Sequence, residues 1–138
     1  MTDTEFLRAF ENCEIATTDF RHRDHLRLTW TYLQHYGPEA APRMAASIRR
    51  FAAHHGKNDK YHETVTIAWM CLVADCAKSG VPSFQALIDT HPELLDKTAL
   101  REFYSDSLLQ SGQARTRFVP PDLKPLPNLG IIPSGVLK

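Results

Sequence analysis

Seven histidines punctuate the chain, and three of them have a spacing that suits a metal ion. His22 and His25 stand three residues apart in Phe20-Arg-His-Arg-Asp-His-Leu26. In a helix that spacing brings two side chains within reach of one ion, and both fall on the face shared by Leu26, Thr29 and Leu33. An imidazole turned inward needs a polar partner, because an unpaired buried ring nitrogen is costly. A divalent ion is one such partner. His62, in Lys60-Tyr-His-Glu-Thr64, supplies a third ligand if that run opens a helix with Val65, Trp69 and Leu72 on its inner side.

Three histidines around one ion leave a position open for water or substrate, the arrangement of catalytic rather than structural zinc. Zinc or iron suits the set first, with copper, manganese or nickel next, since imidazole alone does not choose among them. Glu63 is then the nearest group able to move protons, and Tyr61 can line the pocket as a second catalytic candidate. Glu63 also has simpler explanations, as an ion-pair partner, as an acid at a helix start, or as a carboxylate orienting a histidine. The metal-free alternative makes the histidines an interhelical polar network in a binding or interaction module. H-E-x-x-H is absent, because position 66 is threonine.

The remaining candidates read more plainly. His54 and His55 suit a helix end, where the dipole favours them. His35 reads as exposed and His91 as a turn residue before Pro92. Cys71 and Cys76 are too far apart around a helix to ligate together and read as small packing residues. Arg43, Arg49, Arg50, Arg115 and Arg117 could clamp a carboxylate or phosphate, or simply keep the surface soluble.

Positioning these residues calls for helices. Apolar residues recur at helical spacing with breaks at Gly37-Pro38, Gly56, Ser79-Gly80 and His91-Pro92. The pattern predicts a first helix near Glu5–Phe10, capped by Thr4, and a second from Arg21 or Arg23 to Tyr36. A third runs from Glu39 to His54 and a central one from Lys60 to Lys78. Short pieces follow at 83–90 and 92–97, then a last helix from Ala99 to Leu109. No run alternates long enough for a sheet. The expected fold is all-α, a compact bundle of about five or six helices over residues 1–117.

Residues 118–138 differ in kind, holding five of the nine prolines. Proline removes donors and breaks helices, which predicts an extended segment. Phe118, Val119, Leu123, Leu126, Leu129, Ile131, Ile132 and Val136 predict that it packs on the core or crosses to a second copy as a homodimer contact.

Composition narrows the class. The 138 residues carry 16 Lys+Arg against 16 Asp+Glu, so nothing favours nucleic acid through overall positive charge. The 43% hydrophobic content can fill a core. Thr64–Ala74, the longest uncharged central stretch, is about half of a membrane span. Three cysteines without a C-x-x-C pair predict a reducing, cytoplasmic setting, and a small molecule is the expected partner. The runs Phe20-x-His22-x-x-His25-Leu26 with Trp30, Lys60-Tyr-His-Glu-Thr64, and Phe118-Val-Pro-Pro-Asp122-Leu resemble a group of small uncharacterised bacterial proteins. The resemblance implies a bacterial source and ties the three segments together. It implies no particular reaction.

Overall fold

In the computed structural model, residues 1–128 and Gly130 are described; Leu129 and residues 131–138 lie outside the described part. Expectations for Leu129, Ile131, Ile132 and Val136, and for a dimer contact there, fall on that outside part. The described residues form an all-α structure. Its helices are α1 (Asp3–Glu11), α2 (His22–Tyr36), α3 (Ala40–His54), α4 (Glu63–Ala77), α5 (Phe84–Thr90), α6 (Asp106–Leu109) and α7 (Gly112–Thr116). Short 3-10 turns lie between them, and among the described residues no helix is long and apolar enough to cross a membrane.

Each boundary has a local cause. Thr2, not Thr4, caps α1: its hydroxyl accepts from Glu5 N–H while the Glu5 carboxylate accepts from Thr2 N–H. Gly37 ends α2 with φ 51°, and Gly56 follows α3 with φ 67°, a region that favours glycine. The two helices run antiparallel, with Tyr36 against Arg43 and Tyr32 against Ser47, and are tied to α1 by the buried Tyr32. Its hydroxyl bridges the Glu11 carboxylate at 3.0 Å and the Ser47 hydroxyl at 2.6 Å. Arg27 adds a 2.8 Å ion pair to Asp3.

The helix α4 is central. Ile67, Ala68, Met70, Cys71 and Val73 are all fully enclosed, and Trp69 is only 4% exposed. Apolar residues surround the helix because it has neighbours on several sides. Its start differs from the expected one at Lys60. Residues Asn58–Lys60 form a 3-10 turn, Tyr61 is extended, and His62 is the cap rather than a helical residue.

The expected last helix is broken. Ala99–Glu102 is a 3-10 turn, and Ser105 and Ser111 each start a new helix by accepting from the N–H three residues on. Asp122 holds this break in place, accepting from Ser105 N–H at 2.8 Å and from its hydroxyl at 2.6 Å. Beyond α7, Phe118, Val119 and Leu126 join the core, while Leu123 remains 58% exposed. Leu123 N–H donates to the Phe103 carbonyl, and the Tyr104 hydroxyl donates to that of Val119 at 2.7 Å.

Thr64 fastens this closing segment to α4. Its fully buried hydroxyl donates toward the carbonyls of Ala114 (2.6 Å) and Arg117 (2.9 Å), and accepts from Val119 N–H (3.1 Å). One side chain thus satisfies three backbone groups about fifty residues away in sequence.

Candidate functional site

The three histidines expected to converge have separate engagements. His22, the first residue of α2, donates from Nε2 to the Leu94 carbonyl at 2.8 Å and lies edge-on to Trp69, ring centres 4.6 Å apart. His25 stacks at 6.0 Å on Phe20, beside the cluster of Phe10, Phe20 and Phe51. Its Nε2 is enclosed and has no hydrogen-bond partner among the described residues, as is the case for that of His55 next to Phe51.

His62 has both ring nitrogens occupied. Nδ1 accepts from Val65 N–H at 3.2 Å, capping α4, and Nε2 donates to the Leu109 carbonyl at 2.6 Å. Metal ligation requires a free lone pair on the ring. Neither nitrogen offers one without breaking a bond that holds α4 or α6. The helical geometry assumed for His62 does not apply, because the cap residue is extended at φ −135°, ψ 107°.

Glu63 and Tyr61 are engaged elsewhere. The Tyr61 hydroxyl donates to the Glu63 carboxylate, and the Arg49 guanidinium of α3 stands 3.4 Å from the same oxygen. Burial, with the carboxylate beside it, pushes the Tyr61 hydroxyl pKa upward. The trio ties α3 to the start of α4, and neither Tyr61 nor Glu63 lines the cavity to which His62 contributes.

Burial pushes the His25 pKa down to about 4, with the nearby His22 adding to the shift. The ordinary value is about 6.5, so between these values the unfolded chain binds a proton that the folded chain rejects. Stability therefore rises with pH across this window and is lost as pH falls through it. The expected loss is about 2–3 kcal/mol by pH 4, partly relieved by the ring's residual exposure. His25→Leu should flatten the dependence; urea midpoints compared at neutral and acid pH for both proteins would check it.

A different group does converge. Among the described residues, Cys76, His91 and Glu93 place one ligand atom each within 4.8 Å of one another. Cys76 comes from the last turn of α4. His91 is the C-cap of α5, and Glu93 lies in the Pro92–Leu95 turn that follows. The His91 Nδ1 is 3.5 Å from a Glu93 carboxylate oxygen. Cys76 and His91 are half-buried and Glu93 is exposed. The thiol pKa is pushed up to about 11, first by burial, then by the negative charges of Glu93 and Asp75.

Beside the group opens a cavity of about 290 Å³ with Leu72, Leu94 and Phe103 on its walls. Asp75, Glu93, Asp96 and Glu102 also line it. Asp75 is paired with Lys78 at 2.8 Å and Glu102 with Lys124 at 2.7 Å, so Glu93 and Asp96 are the carboxylates that favour a cation there. From sequence, Cys76 reads as a packing residue and His91 as a turn residue. Their separation of fifteen positions carries no periodic signal; His91-Pro-Glu93 was the only local hint.

No family profile matches the chain, no curated protein matches its sequence, and no solved structure matches it.

Proposed function

We propose that this is a small metalloprotein whose ion is held by Cys76, His91 and Glu93 rather than by His22, His25 and His62. The convergence of a thiol, an imidazole and a carboxylate carries this reading. Ligand atoms about 2.0–2.3 Å from a tetrahedral zinc are separated by roughly 3.3–3.8 Å, so the group closes with a small movement of the exposed Glu93 side chain. The mixed donor set favours zinc, with iron second.

Three protein ligands leave a fourth position, and the acidic, apolar-walled cavity lies beside them. A bound ion there would act as a Lewis acid toward a small molecule. Leu72, Leu94 and Phe103 would exclude water on one side of such a molecule. The neighbouring carboxylates would disfavour an anionic substrate, so a neutral or cationic one fits. Glu63 and Tyr61 have no part in this site, and their pairing with Arg49 is a helix-to-helix contact.

The test is metal uptake by untagged, chelator-treated protein. About one zinc per chain should bind, and Cys76→Ser and His91→Ala should each weaken it by at least about tenfold. His62→Gln should leave the stoichiometry unchanged. Failure to take up zinc or iron would refute metal binding altogether. Uptake indifferent to Cys76→Ser but lost in His25→Ala would move the ion back to the histidines of α2.

A further inference from the structure

On the other side of the Pro92–Thr98 segment the charge reverses. A cavity of about 460 Å³, within the usual range for small-molecule sites, has Trp69, Leu100 and Leu109 as apolar walls and Lys97, Arg101 and Arg115 at its edge. Among the described residues Asp106 is the one carboxylate lining it, and it stands 3.4 Å from Arg101. An adjoining cavity of about 680 Å³ is lined by His22, Arg21, Arg23 and again Lys97. Lys97 therefore belongs to both.

The segment is built to present that lysine. The Asp96 carboxylate accepts from Thr98 N–H at 2.9 Å and from its hydroxyl at 2.7 Å, which fixes the turn around Lys97. Leu94 is buried and its carbonyl is held by His22, anchoring the preceding turn. Arg115 is oriented by donating one N–H to the Asp59 carbonyl at 2.6 Å. Among the described residues the Lys97 ammonium has no hydrogen-bond or ion-pair partner. Cations gathered around an apolar recess raise the local concentration of anions and can bind an acid group while the recess takes the rest of the molecule.

We propose that this recess binds a small organic anion, a carboxylate or a phosphate ester on a flat apolar body. Lys97 and Arg115 hold the acid group, and the body lies against Trp69, Leu100 and Leu109. Arg101, neutralised by Asp106, contributes orientation more than charge. The site is separate from the Cys76 group and does not depend on a metal there.

Phenyl phosphate and benzoate serve as probes of the two acid types, with benzyl alcohol as the uncharged control. The readout is the Trp69 indole N–H resonance during titration. At least one anion should bind saturably below about 10 mM, and benzyl alcohol should not. Tighter phenyl phosphate assigns a phosphate ester, and tighter benzoate a carboxylate. Lys97→Gln and Arg115→Gln should each weaken the better probe by about tenfold, whereas Arg43→Gln on α3 should change nothing. Lys97 makes no side-chain hydrogen bond or ion pair among the described residues, so its variant remains informative even if Arg115→Gln impairs folding. Absence of saturation with both anions, or affinity unchanged in Lys97→Gln, would overturn the proposal.

Discussion

Thr64→Val should lower the unfolding free energy by about 2–4 kcal/mol while leaving the helix content of the folded protein unchanged. Valine preserves the shape and β-branching of threonine but removes the hydroxyl. The carbonyls of Ala114 and Arg117 and the N–H of Val119 would then lose their shared partner. Each unsatisfied buried group costs about 1–3 kcal/mol, though local relaxation and entering water reduce the sum. Thr64→Ser keeps the hydroxyl and should recover most of the loss. Chemical denaturation followed by far-UV circular dichroism measures all three proteins. A valine variant within about 0.5 kcal/mol of wild type would show that the hydroxyl is not the fastener.

His62→Ala should cost about 2–3 kcal/mol. One part is the lost cap at Val65 N–H, typically about 1 kcal/mol. The other is the Leu109 carbonyl at the end of α6, left without its 2.6 Å donor. His62→Asn separates the two, since asparagine can cap α4 but is too short to reach Leu109. It should recover about 1 kcal/mol in the same denaturation experiment. The wild-type ring should also show the tautomer with its proton on Nε2 by nitrogen NMR, because Nδ1 is the acceptor. A ring protonated on Nδ1 alone would contradict the capping geometry.

The ends of α2 and α3 were legible because glycine and proline there leave the backbone little choice. So was the burial of α4, since a run from Thr64 to Ala74 without charge has no other stable place. The role of His62 was hidden by a plausible assumption: a helix drawn from Lys60 turns the ring inward as a ligand. Imidazole is outside the usual set of capping side chains, so the alternative carried no conventional signal. The Thr2 cap and the restarts at Ser105 and Ser111 did obey ordinary capping rules. The apolar periodicity of Leu100, Phe103 and Leu108 masks the restart at Ser105, and the five-residue helix after Ser111 is too short to carry a periodic signal. Cys76, His91 and Glu93 come together only when the turn after α5 returns to the end of α4, which no spacing in the chain encodes. Arg115 stands out in the sequence as a cation just before the proline-rich segment, whereas Lys97 does not, since its importance comes from the turn set by Asp96.

The distance along the chain between Thr64 and its partners also orders events during synthesis. A ribosome adding about 5–20 residues per second needs roughly 3–10 s to pass from Thr64 to Val119. For most of that interval the start of α4 has been made, but the backbone groups that will meet its hydroxyl and imidazole have not. Water must occupy those positions, and the apolar flank around Trp69 must wait for its cover. The nascent chain therefore passes through a stage in which α1, α2 and α3 can already associate while α4 remains half-dressed. That stage is where a chaperone would find the most to hold, and where slow translation beyond Ala77 would prolong exposure.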